Sequence, residues 1–328
     1  MLSDLRQSKE WARFLASQGW EVEEIGGAKA YIRKLPVYGS AIKIQRPPKV
    51  PPVEAIDKLA QKHRALFVKV EPLSTINYEL LTSHGFIRDS SPNLPTRTIV
   101  IDLAKSEEEL WQSLSQDARQ SIRKAKSNQL SVISYQYGED KFDKALKSFH
   151  HLLKATGRRQ RFWTPSLNQL KTKLEYFGKN AVFFLAYPPS PDLPAGEAGA
   201  TEGQVPPISD QPIAGRLRRA SPLAGAFNLI HNGISHGCYA ASSTKGREFH
   251  APYLLIWEII KEGKGAKLKT LDLEGIYDPR YHKLTKSFQG FTVFKRKFGG
   301  KEKEYPPPLV KYYHPLVKLI FKLGSLLD

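Results

Sequence analysis

The chain has 328 residues, enough for one large domain or two of ordinary size. With 41% hydrophobic and 25% charged residues, the composition is globular and excludes a chain that is disordered throughout. Lysine and arginine outnumber aspartate and glutamate by 50 to 32, and the formal charge of +18 indicates an anionic partner such as nucleic acid, pyrophosphate or an acidic membrane surface.

Cysteine usage and the N-terminal sequence bear on the compartment. Cys238 is the only cysteine, so no disulfide can form within the chain. The stretch MLSDLRQSKEW lacks the apolar segment of a signal peptide, and no run has the apolar length of a membrane span. We therefore expect a cytoplasmic protein, and peripheral contact with the inner face of the cell membrane stays open.

Residues 1–100 predict a mixed α/β region. Residues 8–17 fit a short amphipathic helix and residues 54–63 a second one. Strands are expected at EVEEI, AYIRKLPV, SAIKIQR, ALFVKVEP and RTIVIDL, the last with apolar residues on both faces. A single helix is predicted next, from Ser106 to about Ser127, because Ser106 and Glu109 have the spacing of a capping box.

The rest of the chain predicts helices and strands around an insertion. Two helices are expected between residues 140 and 178, followed by the buried strand AVFFLAY. Residues 188–222 are rich in Pro, Gly, Ala and Ser without an apolar period, which predicts an inserted loop without regular structure. Asn232-Gly233 predicts a hairpin turn and Pro252 the first turn of a helix, with further strands at LKTLDLEGIY and FTVFKRKF.

Two basic segments are candidate anion-binding sites. Arg119 and Arg123 lie one helical turn apart, so their guanidinium groups can hold a phosphate or carboxylate together. A solvated basic helix face is the alternative. The segment KATGRRQRFWTP interleaves arginines with Phe162 and Trp163, a mixture that suits RNA, although an ordinary surface loop explains it equally well.

Two further groups of residues can serve chemistry at a carbonyl or an exchangeable proton. Asp272 and Glu274 are predicted to share one strand face, where two carboxylates serve acid–base catalysis or simply lie in solvent. Lys295 stands among aromatic residues and can stabilise an oxyanion in a cleft, or keep an edge strand in solution. His231 and His236 flank the hairpin turn, where we expect both to be exposed.

Motifs for nucleotide phosphates and metals are absent from the sequence. There is no GxxxxGK[ST] loop, and neither CxxC nor HExxH occurs. P-loop ATPase and kinase chemistry is therefore unsupported, and no spacing predicts a metal site.

Four stretches together resemble the Fem-type aminoacyltransferases, which build peptidoglycan interpeptide bridges. RQSKEWARFLASQGW is similar to the family's N-terminal QS-W-GW signature, and DLAKSEEELWQSLSQDARQSIRKAKSNQLSV to its central segment. LLKATGRRQRFW is similar to its T-R-F segment. The C-terminal block comprises CYAASS, APYLLIWEII, LDLEGIYDP and GFTVFKRKFGG. The resemblance extends from about Gln7 to Tyr305 and leaves out residues 188–222.

The resemblance implies an α/β fold with two acetyltransferase-like (GNAT-like) domains, each a mixed sheet flanked by helices. The first domain, on the peptidoglycan-precursor side, is expected to comprise residues 1–131 together with about 300–328, because the C-terminus returns to it. Residues 132–299 are expected to form the second domain, with the insert at 188–222.

The resemblance also implies a reaction. An amino acid (Gly, Ala or Ser) passes from aminoacyl-tRNA to the stem-peptide side-chain amine of lipid II or UDP-MurNAc-pentapeptide, with no cofactor and no metal, in a protein expected to be a monomer. Lys295 and Phe294 match the family's FK pair, in which the lysine stabilises charge at the reacting carbonyl, and Asp102 matches an acidic residue considered as a base. Five more positions match as substrate-binding residues, namely Arg119, Arg123, Arg159, Tyr239 and Asp272.

Two other classes of function stay open. One is a CoA-dependent N-acyltransferase of the same fold, although the usual Gln/Arg-x-x-Gly-x-Gly/Ala loop is missing before Pro252. The other is a non-catalytic module that binds RNA or a membrane without turnover. A basic C-terminal tail can pack on the protein or rest on an anionic membrane. Its apolar stripe comprises Leu316, Leu319, Ile320, Leu323 and Leu326.

Overall fold

The computed structural model describes residues 3–75, 78–139, 141–189, 221–315 and 317 of the chain. The insert predicted at 188–222 therefore lies almost entirely outside the described residues, as does the apolar stripe of the tail. In the described part of the chain, no helix combines the length and the apolar character needed to cross a membrane.

Six strands form the first sheet. In spatial order they are β1 (Glu21–Ile25), β2 (Ala28–Leu35), β3 (Gly39–Gln45), β4 (Ala65–Glu71), β13 (Leu309–Tyr312) and β5 (Ile87–Arg88). Only β3 and β4 run parallel, and the other neighbours are antiparallel. The accompanying helices are α1 (Lys9–Ser17), α2 (Val53–Lys62) and α3 (Tyr78–Ser83). Ile56 of α2 packs into a core with Ile44, Val70 and Leu309.

Seven strands form the second sheet. In spatial order they are β12 (Lys301–Glu304), β6 (Arg97–Asp102), β11 (Thr270–Gly275), β10 (Ile234–Ser242), β9 (Ala224–His231), β8 (Ala181–Tyr187) and β7 (Ser131–Gln136). β10 and β11 are parallel, and the other neighbours are antiparallel.

Helices cover both faces of the second sheet. They are α4 (Glu107–Ser113), α5 (Gln116–Ser127), α6 (Phe142–Gln160), α7 (Leu167–Phe177), α8 (Thr244–Glu248), α9 (Ala251–Gly265), α10 (His282–Thr285) and α11 (Gln289–Arg296). Side chains alternate along β8, so Phe184 packs with the α5 and α9 side while Phe183 packs with the α6 and α7 side. A central strand covered on both faces needs an uninterrupted apolar run, which AVFFLAY provides.

The two sheets repeat one order of strand directions. In β1-β2-β3-β4-β13-β5 and in β8-β9-β10-β11-β6-β12, only the third and fourth strands are parallel. The parallel pair is joined by α2 in the first sheet and by α8 and α9 in the second. The predicted α/β class with two mixed sheets flanked by helices is confirmed. Sheet membership changes between β5 and β6, whereas the domain division at residue 131 stays a prediction.

Two predicted elements are wrong. FTVFKRKF was predicted as a strand but lies mostly in α11. Phe294 in this helix and Phe298 just after it are four residues apart, and both pack against Tyr253. The helix predicted from Ser106 to Ser127 is two helices, because Ser115 has extended backbone and its hydroxyl caps α5.

Local signals for a cap and a turn are confirmed. Ser106 and Glu109 form a reciprocal capping box at the start of α4. Asn232 and Gly233 join β9 to β10 with φ of 51° and 77°, the left-handed conformations that a tight hairpin turn requires.

Candidate functional site

The N-terminal segment before α1 joins the first sheet to the second. The Gln7 amide donates to the carbonyl of Gln45 at 2.8 Å, and its oxygen accepts from the Lys29 N–H at 2.7 Å. Ser8 caps α1, and Trp11 on that helix packs against the core of the second sheet. The QS-W pattern thereby fixes the residues just before it at the junction of the two sheets.

A buried ionic cluster lies at that junction. We use this name for Asp4, Arg6, Arg46, His236, Asp272 and Glu274. One nitrogen of Arg6 donates to both carboxylate oxygens of Glu274, at 2.8 and 2.9 Å. Asp4 pairs with Arg6 at 3.5 Å and with Arg46 at 3.4 Å. The Arg46 guanidinium also lies 3.5 Å from the centre of the Tyr305 ring, so both arginines are held on several sides.

Burial and neighbouring charges set the protonation of the three carboxyl groups. Burial acts to raise the pKa of Glu274, but the charge of Arg6 and the hydrogen bond from His236 outweigh it, so that pKa lies below its usual range. The pKa of Asp4 is lowered in the same way against burial, by Arg6 and Arg46. Burial and the nearby Glu274 charge raise the pKa of Asp272. The cluster therefore keeps Glu274 ionised to lower pH than usual, and it makes Asp272 easier to protonate than an exposed aspartate.

Strand β11 is distorted at Glu274. Its φ is +56°, and the pairing of β11 with β6 shifts register between Asp272 and Gly275. The Asp272 carboxyl accepts from the Glu274 N–H at 2.8 Å and from the Thr98 hydroxyl. Left-handed backbone in a residue other than glycine costs about 1–3 kcal/mol and concentrates at functional sites, so this bulge marks the strand end as a candidate site.

Lys295 binds the carbonyls that this bulge exposes. Its ammonium donates to the carbonyls of Glu274 at 3.1 Å and Gly275 at 2.7 Å, which uses two of its three N–H groups. Burial lowers the pKa of Lys295 to about 8, against the opposing charges of Glu274 and Asp272. Phe294 packs edge-to-face on Tyr253, with ring centres 5.0 Å apart, and so anchors α11. The helix thus holds a cation whose charge changes near neutral pH.

A cavity of about 1050 Å³, which we call the central cavity, opens beside the ionic cluster. Its described lining includes cationic side chains at Lys105, Lys269, Lys301 and Lys303. Asp102 lines it from the end of β6, where its carboxylate accepts from the Ala104 N–H at 3.0 Å, and His236 and Asp272 line it from the cluster. Lys295 is outside this lining and lies at the Glu274 bulge. The cavity therefore presents lysines for an anion beside groups that exchange protons.

Arg119 and Arg123 have structural contacts elsewhere. The Arg119 guanidinium donates to the carbonyls of Leu114 at 2.7 Å and Gln112 at 3.1 Å, which closes the end of α4. Arg123 lies over the Trp111 ring at 5.7 Å. Neither residue belongs to the described lining of the central cavity.

Tyr239 and Arg159 also lie outside that lining. The Tyr239 hydroxyl accepts from Lys173 at 3.2 Å, and its ring stacks on Phe227. Arg159 donates to the carbonyl of Ser242 at 2.9 Å. The structure thus brings Asp102 and Asp272 together at the cavity, and Lys295 lies at the Glu274 bulge. It leaves four predicted substrate-binding residues outside the cavity lining.

His236 differs from its prediction. It was expected to be exposed beside the hairpin turn, but only 3% of its surface is exposed, because β10 lies between β9 and β11. Residues 233–237 also read GxSxG, the pattern of a hydrolase nucleophile turn. Here they occupy a hairpin turn and a strand, and the Ser235 hydroxyl accepts from Asn228 at 2.9 Å. The GxSxG residues therefore do not form the sharp strand-to-helix turn that exposes the nucleophile of a hydrolase.

The glycines after α11 bring the cavity wall close to α4. Gly299 has φ of +74°, and a Cβ there would lie 2.8 Å from the carbonyl oxygen of Ser113. We expect Gly299→Ala to lower the free energy of unfolding by about 1–3 kcal/mol, since both the space and the backbone oppose a side chain. Gly290→Ala lies within α11 itself, where an added Cβ would have nothing within 4 Å. It is the control and should leave stability equal or higher. Urea unfolding of both variants measures this, and equal stability of the two would contradict it.

The chain is similar in sequence to one protein family and in structure to several solved proteins. Residues 84–193 and 213–324 match the model of the FemAB family. The crystal structure of FemX aligns with a TM-score of 0.73 at 19% identity, over 97% of this chain and 95% of that one. L-PGS from Bacillus licheniformis aligns with a TM-score of 0.59 at 11% identity, over 96% and 90%.

A third structure, the C-terminal domain of a putative lysylphosphatidylglycerol synthetase from Agrobacterium fabrum, aligns with a TM-score of 0.59 at 10% identity, over 98% and 93% of the two chains. No match was found among curated proteins. At these identities the aligned structures establish a shared fold.

Proposed function

The chain belongs to the FemAB family, and on this basis we propose that it transfers an amino acid from aminoacyl-tRNA to the side-chain amine of a peptidoglycan stem peptide. Family membership supports, in general terms, a transferase that forms peptidoglycan bridges. The finer proposal is that Gly, Ala or Ser is donated and that lipid II or UDP-MurNAc-pentapeptide accepts it.

The observation that carries the proposal is the environment of Lys295 inside the region that matches the family. A half-buried ammonium ion with two carbonyl acceptors keeps one N–H for a further oxygen. In surroundings with little water, such a fixed charge stabilises a developing oxyanion far more than it does in solution. We assign Lys295 that role, with Phe294 holding its helix in place.

The chemistry needs no energy source beyond the ester itself. The acceptor amine forms a bond to the ester carbon, the carbonyl oxygen takes up negative charge beside Lys295, and the amine loses a proton. The intermediate then collapses, the bond from carbon to the ribose oxygen breaks, and that oxygen leaves as a hydroxyl after gaining a proton. Because the ester is already activated, holding both substrates in reactive positions supplies most of the catalysis.

The central cavity suits the acceptor substrate. Its four lysines provide charge for a pyrophosphate, the group that joins the sugar to the lipid or nucleotide in both candidate acceptors. Asp102 and Asp272 provide carboxyl groups that can hold the acceptor amine. The proposal places the reaction in the cytoplasm, where charged tRNA is found.

We assign the tRNA to the surface at the end of α6. Trp163 is 72% exposed, and Arg158 and Arg159 end the helix beside it. Exposed aromatic rings stack on unpaired bases while arginines pair with phosphates, as at the single-stranded end of a tRNA. None of these three residues belongs to the described lining of the central cavity.

A direct assay tests the proposal. The full chain is incubated with tRNA charged with radiolabelled glycine, alanine or serine, and with lipid II or UDP-MurNAc-pentapeptide. We expect label to enter the muropeptide as an amide, with one amino acid preferred. Phosphatidylglycerol vesicles form a third arm, because of the fold shared with L-PGS. Label that enters only phosphatidylglycerol, or that enters no acceptor at all, rejects the proposal.

The same assay separates the remaining alternatives. Acetyl-CoA as donor, with the same acceptors, tests the CoA-dependent N-acyltransferase, and transfer from it in place of charged tRNA would support that class. Salt-sensitive binding of tRNA without any transfer would support the non-catalytic module.

A further inference from the structure

The buried histidine of the ionic cluster has one nitrogen that the protein does not use. His236 Nδ1 lies 3.2 Å from a carboxylate oxygen of Glu274. Its Nε2 has no hydrogen-bond partner among the described residues, although His236 lines the central cavity. An unpaired buried polar atom costs about 1–3 kcal/mol, so such an atom beside a cavity points to a ligand or a reaction.

The contacts of Glu274 determine which ring nitrogen carries hydrogen. Glu274 accepts two bonds from Arg6, which keeps its carboxylate ionised, and an ionised carboxylate only accepts hydrogen bonds. The hydrogen between His236 and Glu274 must therefore sit on Nδ1. In the neutral imidazole this leaves a lone pair on Nε2, and the carboxylate stabilises the imidazolium that forms when Nε2 takes a proton.

Charged groups of both signs surround His236. His236 pairs in register with Asp272 on the neighbouring strand, and Glu274 follows on the same strand. Asp4 and Arg6 face it from the N-terminal segment, and His231 lies at the other end of the hairpin turn. Glu274, which the ring contacts directly, is the carboxylate that offsets the charge the ring gains.

A metal ion is the competing occupant of this position. One ligand atom each from His236, Asp272 and Glu274 falls within 4.8 Å of the others. Both Glu274 oxygens already accept from Arg6, however, and the nitrogen of His236 that faces Glu274 carries hydrogen. Since a metal would have to displace the guanidinium, the arrangement favours proton transfer over metal binding.

We propose that His236 Nε2 accepts the proton that the acceptor amine releases as it attacks the aminoacyl ester. This inference rests on the proposed function. The amine lone pair forms the new bond to carbon, the carbonyl electrons move to the oxygen, and the proton on nitrogen passes to Nε2. When the bond to the ribose oxygen breaks, the imidazolium returns that proton to the leaving oxygen. Glu274 and, behind it, Arg6 act as positioning residues.

His236→Asn is the variant that tests the proposal. The asparagine amide can still donate a hydrogen bond to Glu274 from the position of Nδ1. It has no nitrogen at the position of Nε2 that could accept a proton. We expect single-turnover transfer to fall about 100-fold while precursor binding stays within about twofold. His231→Asn, at the same hairpin but outside the lining of the central cavity, is the matched control and should keep full activity.

Two readouts separate the possible failures. If the wild type transfers and His236→Asn transfers equally well, the role of His236 is wrong and the proposed function stands. If Asp102→Asn abolishes transfer and His236→Asn does not, Asp102 is the base. If the wild type transfers to no acceptor, both proposals fail.

Nitrogen-15 NMR of the wild-type histidines supplies a measurement that does not depend on a folded variant. In the neutral His236 ring, hydrogen is expected on Nδ1 and none on Nε2. A neutral His236 ring that carries its hydrogen on Nε2 and none on Nδ1 would overturn the inference.

Discussion

Lys295→Met is expected to slow single-turnover aminoacyl transfer by about 1000-fold while tRNA binding stays within about twofold. Methionine keeps much of the length and apolar stem of lysine but removes the ammonium from the carbonyls of Glu274 and Gly275. Loss of one preorganised oxyanion donor typically costs about 100-fold to 1000-fold in rate. Rapid-quench measurement with charged tRNA and saturating precursor gives the rate, and filter binding gives the tRNA affinity.

The matched control is Lys286→Met. Lys286 is an exposed lysine in the turn before α11, so its replacement removes the same charge at a short distance along the chain. We expect its rate to match the wild type. Equal rates in both variants would contradict a catalytic role for Lys295, and equal loss of tRNA binding in both would show that only overall charge matters.

The pH dependence of the rate gives a second signature of Lys295. Burial, against the attraction of Glu274 and Asp272, lowers its pKa to about 8. If the charged form stabilises the oxyanion, the rate is full below that pH and falls as pH rises through it. Lys295→Arg keeps its charge at every accessible pH, so whatever activity it retains should lose this alkaline limb.

Local signals in the sequence predicted most of the elements that build the site. The hairpin at Asn232-Gly233 and the cap at Ser106 depend only on neighbouring residues, and both are confirmed. The strand predicted at FTVFKRKF is wrong because aromatic and β-branched residues suit a strand as well as a helix. Phe294 and Phe298 are four residues apart, and this helical spacing was the signal that the composition obscured.

The ionic cluster was beyond prediction from spacing. Arg6 and Glu274 are 268 residues apart, and Asp4 and Arg46 are 42 apart. Their contact depends on the N-terminal segment crossing to the second sheet and on the bulge at Glu274, neither of which has a local periodicity. His236 was misplaced for the same reason, because the strand order that buries it is a property of the whole sheet.

Arg6→Met is expected to lower the free energy of unfolding by about 3–5 kcal/mol. Removing one partner of a buried ion pair leaves the other charge without compensation, which costs far more than the pair itself contributes. In Arg6→Met, Glu274 loses the two hydrogen bonds that it accepts from Arg6, and Asp4 also loses a partner. Urea unfolding at pH 7.5 measures the change.

Arg296→Met provides the matched surface control for Arg6. Arg296 also pairs with a glutamate, Glu302, but the arginine side chain is 54% exposed. Such a pair contributes at most about 1 kcal/mol, so this variant should unfold close to the wild type. Equal stability of the Arg6 and Arg296 variants would show that the buried cluster contributes no more than a surface pair.

The double variant Arg6→Met with Glu274→Gln separates a buried charge from lost packing. Because glutamine is neutral, it should recover much of the stability that Arg6→Met loses. Lowering the pH should also reduce the difference in free energy of unfolding between the wild type and Arg6→Met. The lowered pKa values of Asp4 and Glu274 stabilise the wild type above about pH 4.5, and this contribution is lost as pH falls through the folded-state values. Only the ionic contribution vanishes in acid. If the difference in free energy of unfolding stays constant as both carboxylates are protonated, the lost stability comes from packing of the Arg6 side chain.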